Sequence, residues 1–166
     1  MKFGKIARAA VIACACMMVI GALVGCTAQN SAESEQQAEN RHYMSTVNTT
    51  VDELSTRLES FEDAVSRGDV VTMRTQADNA FKTIDALAAI EAPEALAEIQ
   101  KGYTEGSAAL KDALNAYVAL FTEIESATDE HPFDFSTYDE RIKAIQDQYN
   151  DGVAKLEAAD KKATEL

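Results

Sequence analysis

The chain has 166 residues, with 15 Lys and Arg against 28 Asp and Glu and a net charge of −13, a length that suits one domain. Two Pro, seven Gly and no Trp exclude a collagen-like, Pro-rich or turn-dense all-β protein, and the abundance of Ala and Glu favours helices. So acidic a surface repels a polyanion, which argues against nucleic acid as a partner.

Lys2, Lys5 and Arg8 precede an apolar run from Ala9 to Val24. Such a run is short for a membrane span, which needs ~20 apolar residues, and suits the core of a signal peptide. It closes on Leu23-Val24-Gly25-Cys26. These residues resemble the lipobox of bacterial lipoproteins, in which signal peptidase II cuts before a cysteine already carrying diacylglycerol. The resemblance implies that residues 1–25 are a signal peptide, recognised through Leu23, Val24 and Gly25. It makes Cys26 the lipidated first residue of the mature chain, held at the cell membrane and facing outside the cytoplasm. Cys14 and Cys16 would leave with the signal peptide, so no free thiol would remain for a disulfide, a zinc site or a nucleophile.

Residues 26–40 are polar and carry no large apolar side chain, which predicts a flexible lipidated tether reaching roughly 20 Å. Their Glu-Gln-Ala content also allows the first helix to extend back into them. Residues 41–166 read as a helical domain.

Met44, Val47, Val51, Leu54, Leu58, Phe61 and Val65 alternate steps of three and four, a heptad stripe on one helix. Gly68 suits that helix's C-terminus and Asp69 the N-cap of the next, whose stripe is Val70, Met73, Ala77, Ala80 or Phe81, Ile84 and Leu87. The same turn chemistry accounts for the tripeptide Arg67-Gly68-Asp69 without an adhesion role. Pro93 and Glu94 favour a third helix start, with a stripe from Leu96 through Ile99, Tyr103, Gly106, Leu110, Leu114 and Tyr117 to Ile124. Residues 128–136 read as a loop in which Phe133 and Phe135 plug the open end of the domain. A fourth stripe follows at Tyr138, Ile142, Ile145, Tyr149, Val153 and Leu156, opened by a capping box of Thr137 and Glu140. Four amphipathic helices with short connections predict an all-α, antiparallel up-down-up-down four-helix bundle after the signal peptide and tether. A coiled-coil hairpin that dimerises is the alternative.

Candidate chemistry is sparse. Glu39 and His42 have the Glu-x-x-His spacing of di-iron bundles, but the motif occurs once where two copies are needed. No Gly-x-Ser-x-Gly and no Gly-rich phosphate loop is present. Asp129, Glu130 and Asp134 surround His131 without the residue order of a calcium loop. Gly102 and Gly106 stand four apart on one face of the third helix, each costing ~1 kcal/mol against Ala. They mark either close helix packing or a groove beneath Tyr103 bordered by Tyr149 or Tyr138. Residues 44–127, with the Gly-Asp turn and the Ala-Pro-Glu-x-Leu helix start at 92–96, resemble small helical bacterial lipoproteins of unknown function. The expectation is a non-catalytic binding or protein-interaction module without cofactor or metal. Its partners would be the membrane, through the lipid, and an envelope protein or cell-wall component. A small-ligand, metal-ion or cell-wall-binding lipoprotein is the alternative.

Overall fold

No Gly or Pro interrupts the chain between residues 31 and 67, and one long helix fills that stretch. The computed structural model describes residues 31–165, with side chains from residue 35 onward. The expected signal peptide, Leu23, Val24, Gly25 and the lipidation site Cys26 lie outside the described residues. Helix α1 spans Ser31–Arg67, α2 Val70–Ala88, α3 Ala97–Glu125 and α4 Tyr138–Thr164. Single 3-10 turns occur at Glu94–Leu96 and Phe135–Thr137, and there is no strand among the described residues.

Residues 31–40, expected to belong to a flexible tether, are helical from Ser31. Their Glu, Gln and Ala residues are good helix formers with no breaker among them, so the helix propagates outward with its side chains from 35 to 39 exposed. Hydroxyl side chains further along α1 are accommodated by bonding back one turn, with Thr46 Oγ1 donating to the His42 carbonyl at 3.0 Å and Thr50 Oγ1 to that of Thr46 at 2.9 Å.

The α1–α2 turn is built as the residues require. Gly68 adopts a left-handed φ of 67°, a conformation open to glycine at no steric cost. The Asp69 carboxylate accepts from the Thr72 amide at 3.0 Å, satisfying one of the orphan donors at the start of α2. The Thr72 hydroxyl also donates to this carboxylate, and the two bonds, the hydroxyl's first, hold the Asp69 carboxyl below the usual carboxylate range. Its contribution is therefore present above that range and is lost as pH falls through the lowered value. Asp69→Ala is expected to lower the urea midpoint at neutral pH, and the difference from wild type should shrink in acid.

The core gathers Tyr43, Val47, Leu54, Leu58, Phe61 and Ala64 of α1 with Met73, Ala77, Ala80, Ile84 and Leu87 of α2, and with Ile99, Tyr103, Leu110 and Leu114 of α3. On α1 the buried stripe is broader than a heptad seam: Tyr43 and Ala64 are buried while Met44 and Val65 are half-buried. A helix that meets two neighbours needs a wider apolar face than one that meets a single partner.

Cross-helix pairs set the directions. Lys111 Nζ meets Asp85 at 2.5 Å and Arg74 donates to Thr122 at 2.6 Å, so α2 and α3 run oppositely. Tyr103 meets Asp160 at 2.5 Å and Arg141 meets Glu123 at 2.7 Å, and α3 and α4 likewise run oppositely. Tyr149 of α4 meets Glu62 late in α1 and Asp160 neighbours Asp52 earlier in it, so α1 and α4 run oppositely and the start of α1 lies at the end of the molecule that holds the α2–α3 connection. The α1–α2 turn and the α3–α4 loop lie at the other.

Helix α4 departs from expectation. Only Gly152, Leu156 and Ala159 are buried. Tyr138, Ile142, Ile145 and Tyr149, on its first half, are half-buried. The capping box at Thr137 and Glu140 does not form. Thr137 is already helical and makes no side-chain cap bond. Instead Asp134, three residues earlier, accepts from the Ser136 amide at 2.9 Å and caps the preceding 3-10 turn.

Candidate functional site

The face carrying Gly102 and Gly106 is covered by α4. A Cβ on Gly106 would stand 2.9 Å from the Gly152 carbonyl oxygen and 2.9 Å from Leu156 Cδ2. One on Gly102 would stand 3.0 Å from Ala159 Cβ. Tyr103 is 1 % exposed, and Tyr149 faces α1, its hydroxyl donating to Glu62 at 3.4 Å. The groove expected at Gly102, Tyr103, Gly106 and Tyr149 is thus filled. Small residues let two helix backbones approach, and α4 takes the space.

Tyr103 instead joins a buried polar contact. Its hydroxyl donates to Asp160 Oδ1 at 2.5 Å. Burial pushes the Asp160 carboxyl above the usual carboxylate range, the Tyr103 bond opposes this, and the nearby Asp52 of α1 adds to it. Burial, with Asp160 alongside, pushes the Tyr103 phenol far up. Tyr103 is thereby satisfied inside the packing, and Asp160 is half-buried at its margin.

The other candidates separate in space. Glu39 and His42 are exposed on the first turns of α1. In the α3–α4 loop, Thr128 and His131 exchange backbone hydrogen bonds of 3.1 and 3.2 Å, and Asp134 is committed to its cap. No group of three or more His, Cys, Asp or Glu among the described residues is placed to hold a metal ion.

Two surfaces remain. The first is an open groove of about 590 Å³ along α2 and α3, with Ala77, Phe81 and Val118 in its floor and Arg74, Asp78 and Glu123 on its rim. Arg74 reaches across it to Thr122. The second is the tip at the α3–α4 loop. Phe133 and Phe135 do not plug the domain as expected: Phe135 is 67 % exposed and Phe133 half-buried. Their rings meet edge to face at 4.9 Å, and Phe135 lies 6.4 Å from the Tyr138 ring. The Arg141 guanidinium sits 5.7 Å from the Phe133 centroid while bonding Glu123, which joins the tip to the rim of the groove. The 3-10 turn at residues 135–137 sets these rings beyond the last layer of the core, which the loop's composition alone could not show.

Comparison of the chain with family models, curated proteins and solved structures gives no match.

Proposed function

We propose that the chain is a membrane-anchored extracytoplasmic lipoprotein acting as a non-catalytic interaction module. The observation that carries the interaction reading is the apolar surface left at the loop end of the helices. Phe133, Phe135, Tyr138, Ile142 and Ile145 are half-buried at most, although the same stripe of α4 is closed further along at Leu156 and Ala159. Apolar side chains grouped outside a core mark a binding surface more often than scattered single ones do. Anchoring is supported by the Leu23-Val24-Gly25-Cys26 box. No helix among the described residues is long and apolar enough to cross a membrane.

In-cell crosslinking of the full-length protein, followed by mass spectrometry of what it captures, tests this reading, with Cys26→Ala as control. One dominant envelope protein, captured near stoichiometry and lost in the control, is the expected outcome. Capture of nothing above the control overturns it.

A further inference from the structure

We propose that the aromatic tip is a docking surface for a basic protein segment that presents an apolar side chain to Phe133, Phe135 and Tyr138. The inference rests on the interaction-module reading and names the surface and the class of partner.

The rings first. Phe135 is exposed, and neither it nor Phe133 belongs to the core or packs against it. The two rings nevertheless hold a defined edge-to-face contact with each other. Local bonds fix the backbone that carries them. Asp134 caps the turn, Thr137 Oγ1 donates to the Asp134 carbonyl at 3.2 Å, and Thr128 pairs with His131. A surface ordered before binding loses less entropy on association, and aromatic side chains are the commonest anchors of protein interfaces.

Charge then selects the partner. Asp129, Glu130, Asp134, Asp139 and Glu140 are exposed around the rings. The one arginine among them, Arg141, is engaged by Glu123 and Phe133. The uncompensated charge at the tip is therefore negative, which steers cationic surfaces toward it and repels a second copy of this acidic chain. Position agrees with this partner. The tip lies at the opposite end from the start of α1, a helix of 37 residues and so about 55 Å long at 1.5 Å per residue. An anchor on the N-terminal side of α1 leaves the tip free.

Site-specific photo-crosslinking of the full-length protein in cells tests the proposal. Benzoylphenylalanine is placed at 135, and separately at the exposed positions 104 and 119. The expected result is capture from 135 of a protein segment carrying net positive charge and an apolar residue at the crosslink. Capture should fall at least about fivefold when Asp129→Asn, Glu130→Gln, Asp139→Asn and Glu140→Gln remove the charge, and on raising salt. Capture of a second copy, of lipid or of an uncharged segment overturns the proposal, as does a yield that ignores the charge substitutions. Capture from 104 or 119 but not from 135 overturns the tip while leaving the interaction module standing. Silence at all three positions overturns both.

Discussion

Gly152→Ala is expected to destabilise this protein by about 2 kcal/mol, although alanine is the better helix former. In an exposed helix the substitution would gain ~1 kcal/mol. Here the added Cβ would stand 2.8 Å from Leu110 Cγ, 3.0 Å from the Gly106 carbonyl oxygen and 3.0 Å from the Leu110 amide nitrogen. Two of those three atoms are backbone, so no rotamer change relieves them and α4 must move off α3. Overpacking of this kind costs ~1–3 kcal/mol, occasionally more, and displacement would also loosen Leu156 and Ala159, the other buried contacts of α4. For a domain of this size the thermal midpoint should fall by about 4–8 °C. Gly102→Ala makes one tight contact, with Ala159 Cβ at 3.0 Å, while Ala159 Cα at 3.7 Å and the Lys155 carbonyl oxygen at 3.9 Å are at ordinary distance, and it should cost less. A midpoint raised by Gly152→Ala would mean that α3 and α4 do not approach at this point.

The second large effect lies at Tyr103. Tyr103→Phe removes the donor to Asp160 and leaves a half-buried carboxylate facing α1, where Asp52 already disfavours its charge. A buried acceptor deprived of its partner costs ~1–3 kcal/mol. The loss should be largest at neutral pH and shrink in acid, where a protonated Asp160 no longer needs the donor. The sign for the wild type follows from the raised Asp160 carboxyl. The folded state holds the proton more tightly than the unfolded one, so this group's contribution to stability is complete below the ordinary carboxylate range. It is lost as pH rises through the raised value. Asp160→Asn keeps an oxygen to accept from Tyr103 and deletes the charge. It should therefore be more stable than wild type at neutral pH, with a difference that closes in acid. Urea unfolding of the three proteins across pH measures all of this. A Tyr103→Phe cost independent of pH would contradict the assignment.

These two sites show what was legible in the residues. The four apolar stripes gave the helices because helical spacing reports which face is buried, and Gly68, Asp69 and Pro93 punctuated them correctly. Spacing does not report which neighbour covers a stripe or how closely. Gly102 and Gly106 therefore favour close approach over a groove without excluding either, and Gly152 and Ala159 lying opposite decide for close approach. Met44 fits a strict heptad and Tyr43 does not, whereas a helix meeting two neighbours buries both sides of that stripe. The residues suggest a cap at Thr137 where Asp134 supplies one, because the intervening 3-10 turn leaves no mark in the apolar pattern. The same turn explains why Phe133 and Phe135, expected as a plug, form an exposed tip. Charge around that tip was visible from the outset, but its meaning depends on rings whose exposure the sequence does not encode locally.

Anchoring and interaction stand together in the proposed role, and anchoring is the more directly measured. Intact-mass spectrometry of the protein extracted from the membrane fraction addresses it. Lipid anchoring predicts a chain that begins at Cys26 and carries a diacylglycerol adduct, with Cys26→Ala recovered without the adduct. A chain retaining residues 1–25, or one beginning elsewhere with Cys26 unmodified or absent, would contradict it.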